Sequence, residues 1–463
     1  MKKNVVIIGG GPGGYGAALY SAHLGMNVTL IEKNHLGGTC LNVGCIPTKA
    51  FVQASKVYAQ TLNGGFYGIS VDGHVSIDFK KTANFKKKIV TQLRNGVGYL
   101  LKKAKVSIIN GTGKILNPNT VQVTSKEGVQ ELQADEIIIA TGSSEIVIPG
   151  FEPDGIRVLG STEMLDIEKL PESIAIIGGG VIGVEFASIF KTFGKEVTII
   201  ELSPSLIPTE DAQIGESLKK NLVAQGINVL TSSQAKKIIN KTAENITLEI
   251  QAADGSTQQL TVEQVLVCVG RKANLSYIGL EEAGIVYNKK FIETNEKMQT
   301  NISNIYAIGD VTKSPQLAHV AYYEAKIAAL NIAGKEAKAE YHAIPGCIFS
   351  HPEVARVGMT EKEAREKVAN LSIKTESFAG NGKAMIEKEN EGYIKMLFDN
   401  DNGGIVGVSI IGPKATELIA EPTLAVTLKL PIEELANSIN AHPSLSEIIG
   451  EAAGAAIGLG LHS

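Results

Sequence analysis

Apolar positions in this chain come in short runs that end on glycine. Val5 to Ile8 runs into Gly9, Gly10 and Gly11, and Ile174 to Ile177 runs into Gly178, Gly179 and Gly180. A run of four apolar residues stopped by glycine predicts a buried strand and a tight turn, and the segment after each turn predicts a helix. The two regions are one pattern written twice. "IIGGGPGGYGAALYSAHLGMNVTLIE" (7–32) aligns without a gap on "IIGGGVIGVEFASIFKTFGKEVTIIE" (176–201), an offset of 169 residues. Each copy reads strand, turn, helix, strand, glutamate. Three further runs, "DEIIIATGS" (135–143), "EQVLVCVGRKANL" (263–275) and "NIYAIGDV" (304–311), predict buried parallel strands that lead into turns.

Each fingerprint glycine has a physical task. Gly9 and Gly178 permit the turn, Gly11 and Gly180 let backbone N–H groups approach a pyrophosphate, and Gly14 and Gly183 let the helix pack on the strand. The phosphates then meet a helix N-terminus, where unpaired N–H groups and the helix dipole favour negative charge. Glu32 and Glu201 each stand 18 residues past the last glycine, where a carboxylate can accept from a ribose diol. Two such units in register predict two bound dinucleotides. At the second site Glu201 would repel a 2′-phosphate, and "LSPSLIP" after it offers no Arg or Lys to pair with one. Asp310, at the end of the 304–311 run, could bind a polyol hydroxyl.

Length and charge narrow the picture further. At 463 residues the chain predicts roughly three domains. A formal charge of −4 gives no basic balance for nucleic acid, and lysine clusters such as "KKTANFKKK" (80–88) read as solvated helix faces. The apolar run at the N-terminus is too short for a signal peptide, and no uninterrupted apolar stretch of about 18 residues predicts a membrane span. The chain reads as cytoplasmic, or as the mature form of an organellar protein.

Two of only four cysteines, Cys40 and Cys45, sit five positions apart in "GGTCLNVGCIPTKA" (37–50). A metal clip, a staple and a redox couple are the competing readings. Zinc needs about four ligands, and Cys268 and Cys347 lie alone in apolar runs as buried small hydrophobes, so no metal is expected. On an ideal helix five residues separate Cα atoms by roughly 8.6 Å, beyond the ~7 Å that a disulfide tolerates. The helix must therefore break, and Gly44 is the place. Pro47 suits the first turn of a helix starting near Cys45, which puts one sulfur at a positive helix end and favours thiolate.

Thiol chemistry also needs a base. His23, His74, His342 and His462 read as surface or structural residues, whereas "NAHPSLSEIIGEAA" (440–453) places Glu447 five residues after His442. A carboxylate on one ring nitrogen would fix the tautomer and raise the basicity of the other, with Ser446 as the expected helix cap.

The two fingerprints, the ATG and GRKAN turns, AIGD and the CxxxxC element resemble, in that order and over essentially the whole chain, the two-dinucleotide flavoprotein disulfide oxidoreductases. The resemblance implies an α/β fold with two Rossmann-like domains and a C-terminal α+β dimerisation domain. It places an FAD domain with the redox disulfide at 1–145, an NAD domain at 146–275, a central segment completing the FAD site at 276–342 and a dimer-interface domain at 343–463. FAD would occupy the first site, touched by Asp310, Gly113 and Ala318, and NAD the second, lined by Gly270 and Ala235. Cys45 would lie against the flavin as the charge-transfer thiolate, and Cys40 would exchange with the substrate dithiol. Lys49 would reach the flavin, paired with Glu185. His442 would come from the partner of a homodimer. "VGVSIIGPKATELIAEPTLAVTLKL" (406–430) would give the interface domain a strand and an amphipathic helix. Within the family the motifs stand nearest the members that oxidise protein-bound dihydrolipoamide. The implied partner is therefore a lipoylated protein of a 2-oxo acid dehydrogenase or glycine-cleavage-type complex, with neither nucleic acid nor membrane. Other NAD(P)H-dependent disulfide reductases, diaphorases and NADH oxidases of the family are the alternative. Asn440 departs from the family, which has a histidine there.

Overall fold

A computed structural model describes residues 2–462. Its first sheet has seven strands. Asn4–Ile8 lies at the middle of a parallel set, with Asn27–Glu32 on one side and Glu136–Ile139 on the other; Ile305–Ala307 extends the sheet beyond Glu136–Ile139. Ser107–Asn117 pairs in parallel with Asn27–Glu32, then turns back through two antiparallel strands. Helices Pro12–His23 and Ala318–Ile332 pack against each other, and together with the strands they bury a core that includes Val5, Ile7, Leu30 and Ile138. Strands covered on both faces need near-continuous apolar sequence, which is why the runs at 5–8, 136–139 and 305–307 show without alternation.

The second sheet is built the same way. Ser173–Ile177 pairs in parallel with Glu196–Ile200 and with Gln264–Val267, and Asn228–Leu230 and Val158–Leu159 extend it. Five residue pairs join the two strands of the second fingerprint, as five join those of the first. The internal repeat is thus a repeat of structure. Between these two sheets Ser143–Glu145 and Arg271–Ala273 form a short antiparallel pair.

A three-stranded antiparallel sheet, 233–241, 246–252 and 257–262, follows, and a separate, fully antiparallel sheet of five strands occupies the C-terminal region, in the order 346–348, 353–358, 405–412, 393–399, 371–377. The helix Ala420–Leu428 beside it differs from the amphipathic segment expected. It buries Pro422, Ala425 and Val426, yet Leu424 is 59% and Leu428 58% exposed, so apolar residues occupy both faces. One lysine cluster also departs from expectation. Lys86 is buried in helix Phe79–Lys103 and donates to the Leu165 carbonyl at 2.6 Å, because that turn of the helix faces inward. Among the described residues no helix is long and apolar enough to cross a membrane.

Candidate active site

The fingerprint turns show why their glycines stand where they do. Gly9 and Gly178 have φ of +106° and +113°, in the region that L side chains avoid. A Cβ on Gly14 would lie 1.7 Å from the Gly9 carbonyl oxygen, and one on Gly183 would lie 1.9 Å from that of Gly178. By contrast, a Cβ on Gly180 would meet nothing within 4 Å and one on Gly11 only Gly38 Cα at 3.8 Å. The first and third glycines are demanded by the protein itself, and the middle one leaves its backbone open.

Both turns open on one cavity of about 1910 Å³. That is about twice the upper end for ordinary small-molecule pockets, in keeping with two extended ligands. Gly9, Gly11, Gly178, Gly180, Glu32 and Glu201 line it, as do Gly113, Asp310, Ala318, Ala235 and Gly270. Gly14 and Gly183 stand behind the wall, where helix meets strand.

The two glutamates are engaged by the protein. Glu32 Oε2 accepts from the Gly10 N–H at 2.6 Å and Oε1 from that of Asn34 at 2.7 Å. Glu201 repeats this with the Gly179 N–H at 2.6 Å and the Ser203 N–H at 2.6 Å. Each carboxylate therefore braces its own glycine turn and keeps its remaining lone pairs for a diol. Asp310 is held in a comparable manner: Ser143 Oγ donates to Oδ2 at 2.5 Å, and Arg271 Nε donates to that hydroxyl at 2.8 Å.

Gly44 breaks the cysteine segment. Helix Gly38–Val43 ends there and helix Cys45–Leu62 begins, with Pro47 in its first turn. The two sulfurs are unbonded, and each shifts the ionisation of the other. Hydrogen bonding with Cys40, helped by the Lys49 ammonium, lowers Cys45 to about 7. The same hydrogen bond, with burial, drives Cys40 upward. Of the two, Cys45 is the one whose surroundings favour the thiolate.

Lys49 Nζ donates to both Glu185 oxygens at 2.8 Å and lies 4.6 Å from the centroid of the Phe349 ring. Glu185, buried in the second fingerprint helix, also accepts from the Phe349 N–H at 3.0 Å. This network joins the cysteine helix, the second fingerprint and the C-terminal region at the cavity wall.

His442 Nδ1 lies 2.7 Å from Glu447 Oε1, and Glu447 Oε2 accepts from the Ser444 N–H at 2.7 Å. The Ser444 N–H first, and His442 second, hold Glu447 below the usual carboxylate range. A carboxylate acceptor on Nδ1 leaves Nε2 free to take a proton. The structure does not bring this pair to the cysteines: among the described residues, neither side chain lines the cavity of its own chain. Ser446 occupies the helix boundary but does not cap it with its side chain; its hydroxyl pairs with Ser444 instead.

Other residues of the site escaped the sequence. Cys268 and Cys347 are half-buried and line the cavity, because the turns after their strands open onto it. His319 also lines it, Nε2 lying 2.9 Å from the Pro345 carbonyl, and burial lowers its pKa. Its position directly after Ala318 was the only signal available. Among the described residues no group of three or more His, Cys, Asp or Glu side chains could hold a metal ion.

Comparison with known proteins places this arrangement. The model for "Pyridine nucleotide-disulphide oxidoreductase" matches residues 3–325, and that family's dimerisation domain matches 344–453. The chain belongs to this family. FAD and NAD(H) are the cofactors that membership of this disulfide oxidoreductase family implies. A dihydrolipoyl dehydrogenase of Bacillus subtilis is 42% identical over 472 residues, covering 100% of this chain and 99% of the relative. One from Geobacillus stearothermophilus is 39% identical, covering 100% and 98%. Among solved structures, LpdA from Mycobacterium tuberculosis superposes with a TM-score of 0.90 at 26% identity, over 97% of this chain and 99% of that one. The HOCl-induced flavoprotein disulfide reductase RclA of Escherichia coli gives 0.85 at 29% identity, over 98% and 99%. The α/β class with a C-terminal dimerisation domain, expected from the sequence, is the class of this family.

Proposed function

We propose that this oxidoreductase is a dihydrolipoyl dehydrogenase, which oxidises dihydrolipoamide on a partner protein and passes the electrons through FAD to NAD. One observation carries the reading: two cysteines on either side of the Gly44 break, the second at a helix start, on the cavity shared by both fingerprints. The names of the full-length relatives support the choice of substrate.

Catalysis starts from the Cys40–Cys45 disulfide. His442 of the second subunit in a homodimer takes a proton on Nε2 from one substrate thiol, with Glu447 stabilising the resulting cation. The thiolate attacks Cys40 Sγ; the S–S bond breaks and Cys45 leaves as thiolate. Cys45 is the better leaving group because its pKa is low. The second substrate thiol attacks the substrate sulfur of the mixed disulfide as its proton passes to the departing Cys40 sulfur. Lipoamide closes and Cys40 leaves with a proton. Gly9, Gly11, Glu32, Gly113 and Asp310 would hold FAD on the cavity, where it would supply two-electron transfer between the dithiol and NAD. Lys49 supplies positive charge beside the cysteines, held in place by Glu185.

The four sequence segments serve this cycle as proposed domains: 1–145 and 276–342 for FAD, 146–275 for NAD and 343–463 for dimerisation. The exposed Leu424 and Leu428 offer apolar surface for the subunit contact. The proposed partner is a lipoylated carrier of a 2-oxo acid dehydrogenase or glycine-cleavage-type complex in the cytoplasm. The purified holoenzyme tests the reading directly. Dihydrolipoamide should drive NAD reduction, whereas glutathione disulfide should not be reduced by NADH. Turnover with glutathione and none with dihydrolipoamide would refute it.

A further inference from the structure

Part of the wall of the second dinucleotide site lies outside the fingerprint. Leu202, Ser203, Pro208 and Thr209, from the segment after Glu201, line the cavity. Within that segment Ile207 sits at φ +43° with its side chain buried. Left-handed backbone is rare for any residue with a Cβ and a genuine outlier for a β-branched one. It persists only where the surroundings over-determine it.

Contacts at each end of the segment do so. At the near end the Ile207 N–H donates to the Gly179 carbonyl at 2.8 Å, tying the segment to the fingerprint turn. At the far end two consecutive acids are gripped by the C-terminal sheet. Arg356 Nε donates to Glu210 at 2.8 Å, and Lys395 Nζ donates to Asp211 at 3.0 and 3.1 Å. Arg356 and Lys395 pair with the same residue, Ser409, from the two strands flanking it, so they lie on one face of the sheet with Ser409 between them. Lys395 is 1% exposed and also donates to Gln213 Oε1 at 3.0 Å and to the Glu361 carboxylate.

Burying an ammonium among carboxylates is a poor route to stability, since apolar replacements of such groups are often as stable or more so. Fixing the place of a neighbouring segment is what this cluster does well. We propose that Arg356 and Lys395 are positioning residues for the nicotinamide dinucleotide. They hold residues 206–211 in their strained form against the cavity, so affinity at that site depends on contact with the dimerisation sheet. The inference rests on the reading that the second fingerprint binds NAD.

The test uses the holoenzyme and three variants, Lys395→Met, Arg356→Gln and Arg356→Lys. The KM for NAD should rise about tenfold in the first two, equivalent to about 1.4 kcal/mol. The KM for dihydrolipoamide, kcat at saturating NAD, the FAD content and the dimer should change less than about twofold. Arg356→Lys keeps the charge and should recover most of the NAD affinity. Arg356 is partly exposed, so its variants report even if Lys395→Met does not fold. An unchanged KM for NAD in Arg356→Gln would overturn the proposal, as would both substrates weakening together with loss of FAD. Wild-type preference for NADP would instead overturn the NAD reading, and the same fold-changes would then be scored on NADP.

Discussion

Replacing Cys40 with Ala removes the first cause of the low Cys45 pKa while leaving Lys49 in place. Cys45 stands at about 7 rather than its ordinary 9.0, with the Cys40 hydrogen bond as the leading cause. At pH 7 about half of it is therefore thiolate. If the hydrogen bond accounts for most of the change, the variant should titrate near 9 and its thiolate fraction at pH 7 should fall to about 1%, a loss of about 50-fold. A more basic thiolate is a better nucleophile: with a Brønsted slope of 0.4–0.5, the gain is roughly eightfold. The net expectation is that Cys45 attacks a small aromatic disulfide about sixfold more slowly at pH 7. At high pH, where both forms are ionised, the variant should be faster. The assay is stopped-flow release of the aromatic thiol from pH 5.5 to 10, which reads the inflection directly. Cys40→Ser, which keeps an O–H donor, should lie between the two. An inflection still near 7 in Cys40→Ala would refute the reasoning and assign the thiolate to Lys49 and the helix start instead.

Losing the His442 base should lower dithiol oxidation by about 10² to 10⁴ in His442→Gln, with FAD content unchanged. Co-refolding that variant with Cys45→Ser should restore one working site per heterodimer; no recovery in demonstrated heterodimers would exclude action across subunits. The kcat/KM ratio should favour NAD over NADP, because the braced Glu201 faces the second site with no Arg or Lys in the run after it; a ratio near one would exclude that discriminator. Gly183→Ala should abolish NAD reduction while retaining FAD, since its Cβ would overlap the Gly178 carbonyl at 1.9 Å. A variant that kept the wild-type KM for NAD would show that the turn can relax.

Much of this fold is legible in sequence because its strands are buried on both faces and its turns demand glycine. Val5–Ile8 and Ile174–Ile177 announce themselves twice over, and the break at Gly44 follows from helix geometry and sulfur reach. Other features leave no such trace. Lys395 stands in a strand, Tyr393–Asp399, whose apolar neighbours give no sign that its ammonium meets Asp211, 184 residues away. Leu424 and Leu428 look like core residues because hydropathy cannot say which face of a helix lies open. Ser446 has the right identity for a cap, but Ser444 takes its hydroxyl. Local conformation and period are legible in the residues themselves, whereas a pairing of distant segments such as Lys49 with Glu185 came only through the family resemblance.

The double engagement of Glu201 bears on how cofactor preference can evolve. The carboxylate that would exclude a 2′-phosphate is also the acceptor for the Gly179 and Ser203 N–H groups. Deleting it to admit NADP would strand a buried N–H, a loss of about 1–3 kcal/mol, and loosen the turn that any dinucleotide needs. Glu201→Ala should therefore weaken NAD as well as fail to gain NADP, measurable as a rise in both KM values. A lineage moving toward NADP must first find a substitute acceptor, such as Asn or Ser, and only then a cation. Intermediates that take these steps in the other order bind neither cofactor well, so the glycine turn itself guards the choice.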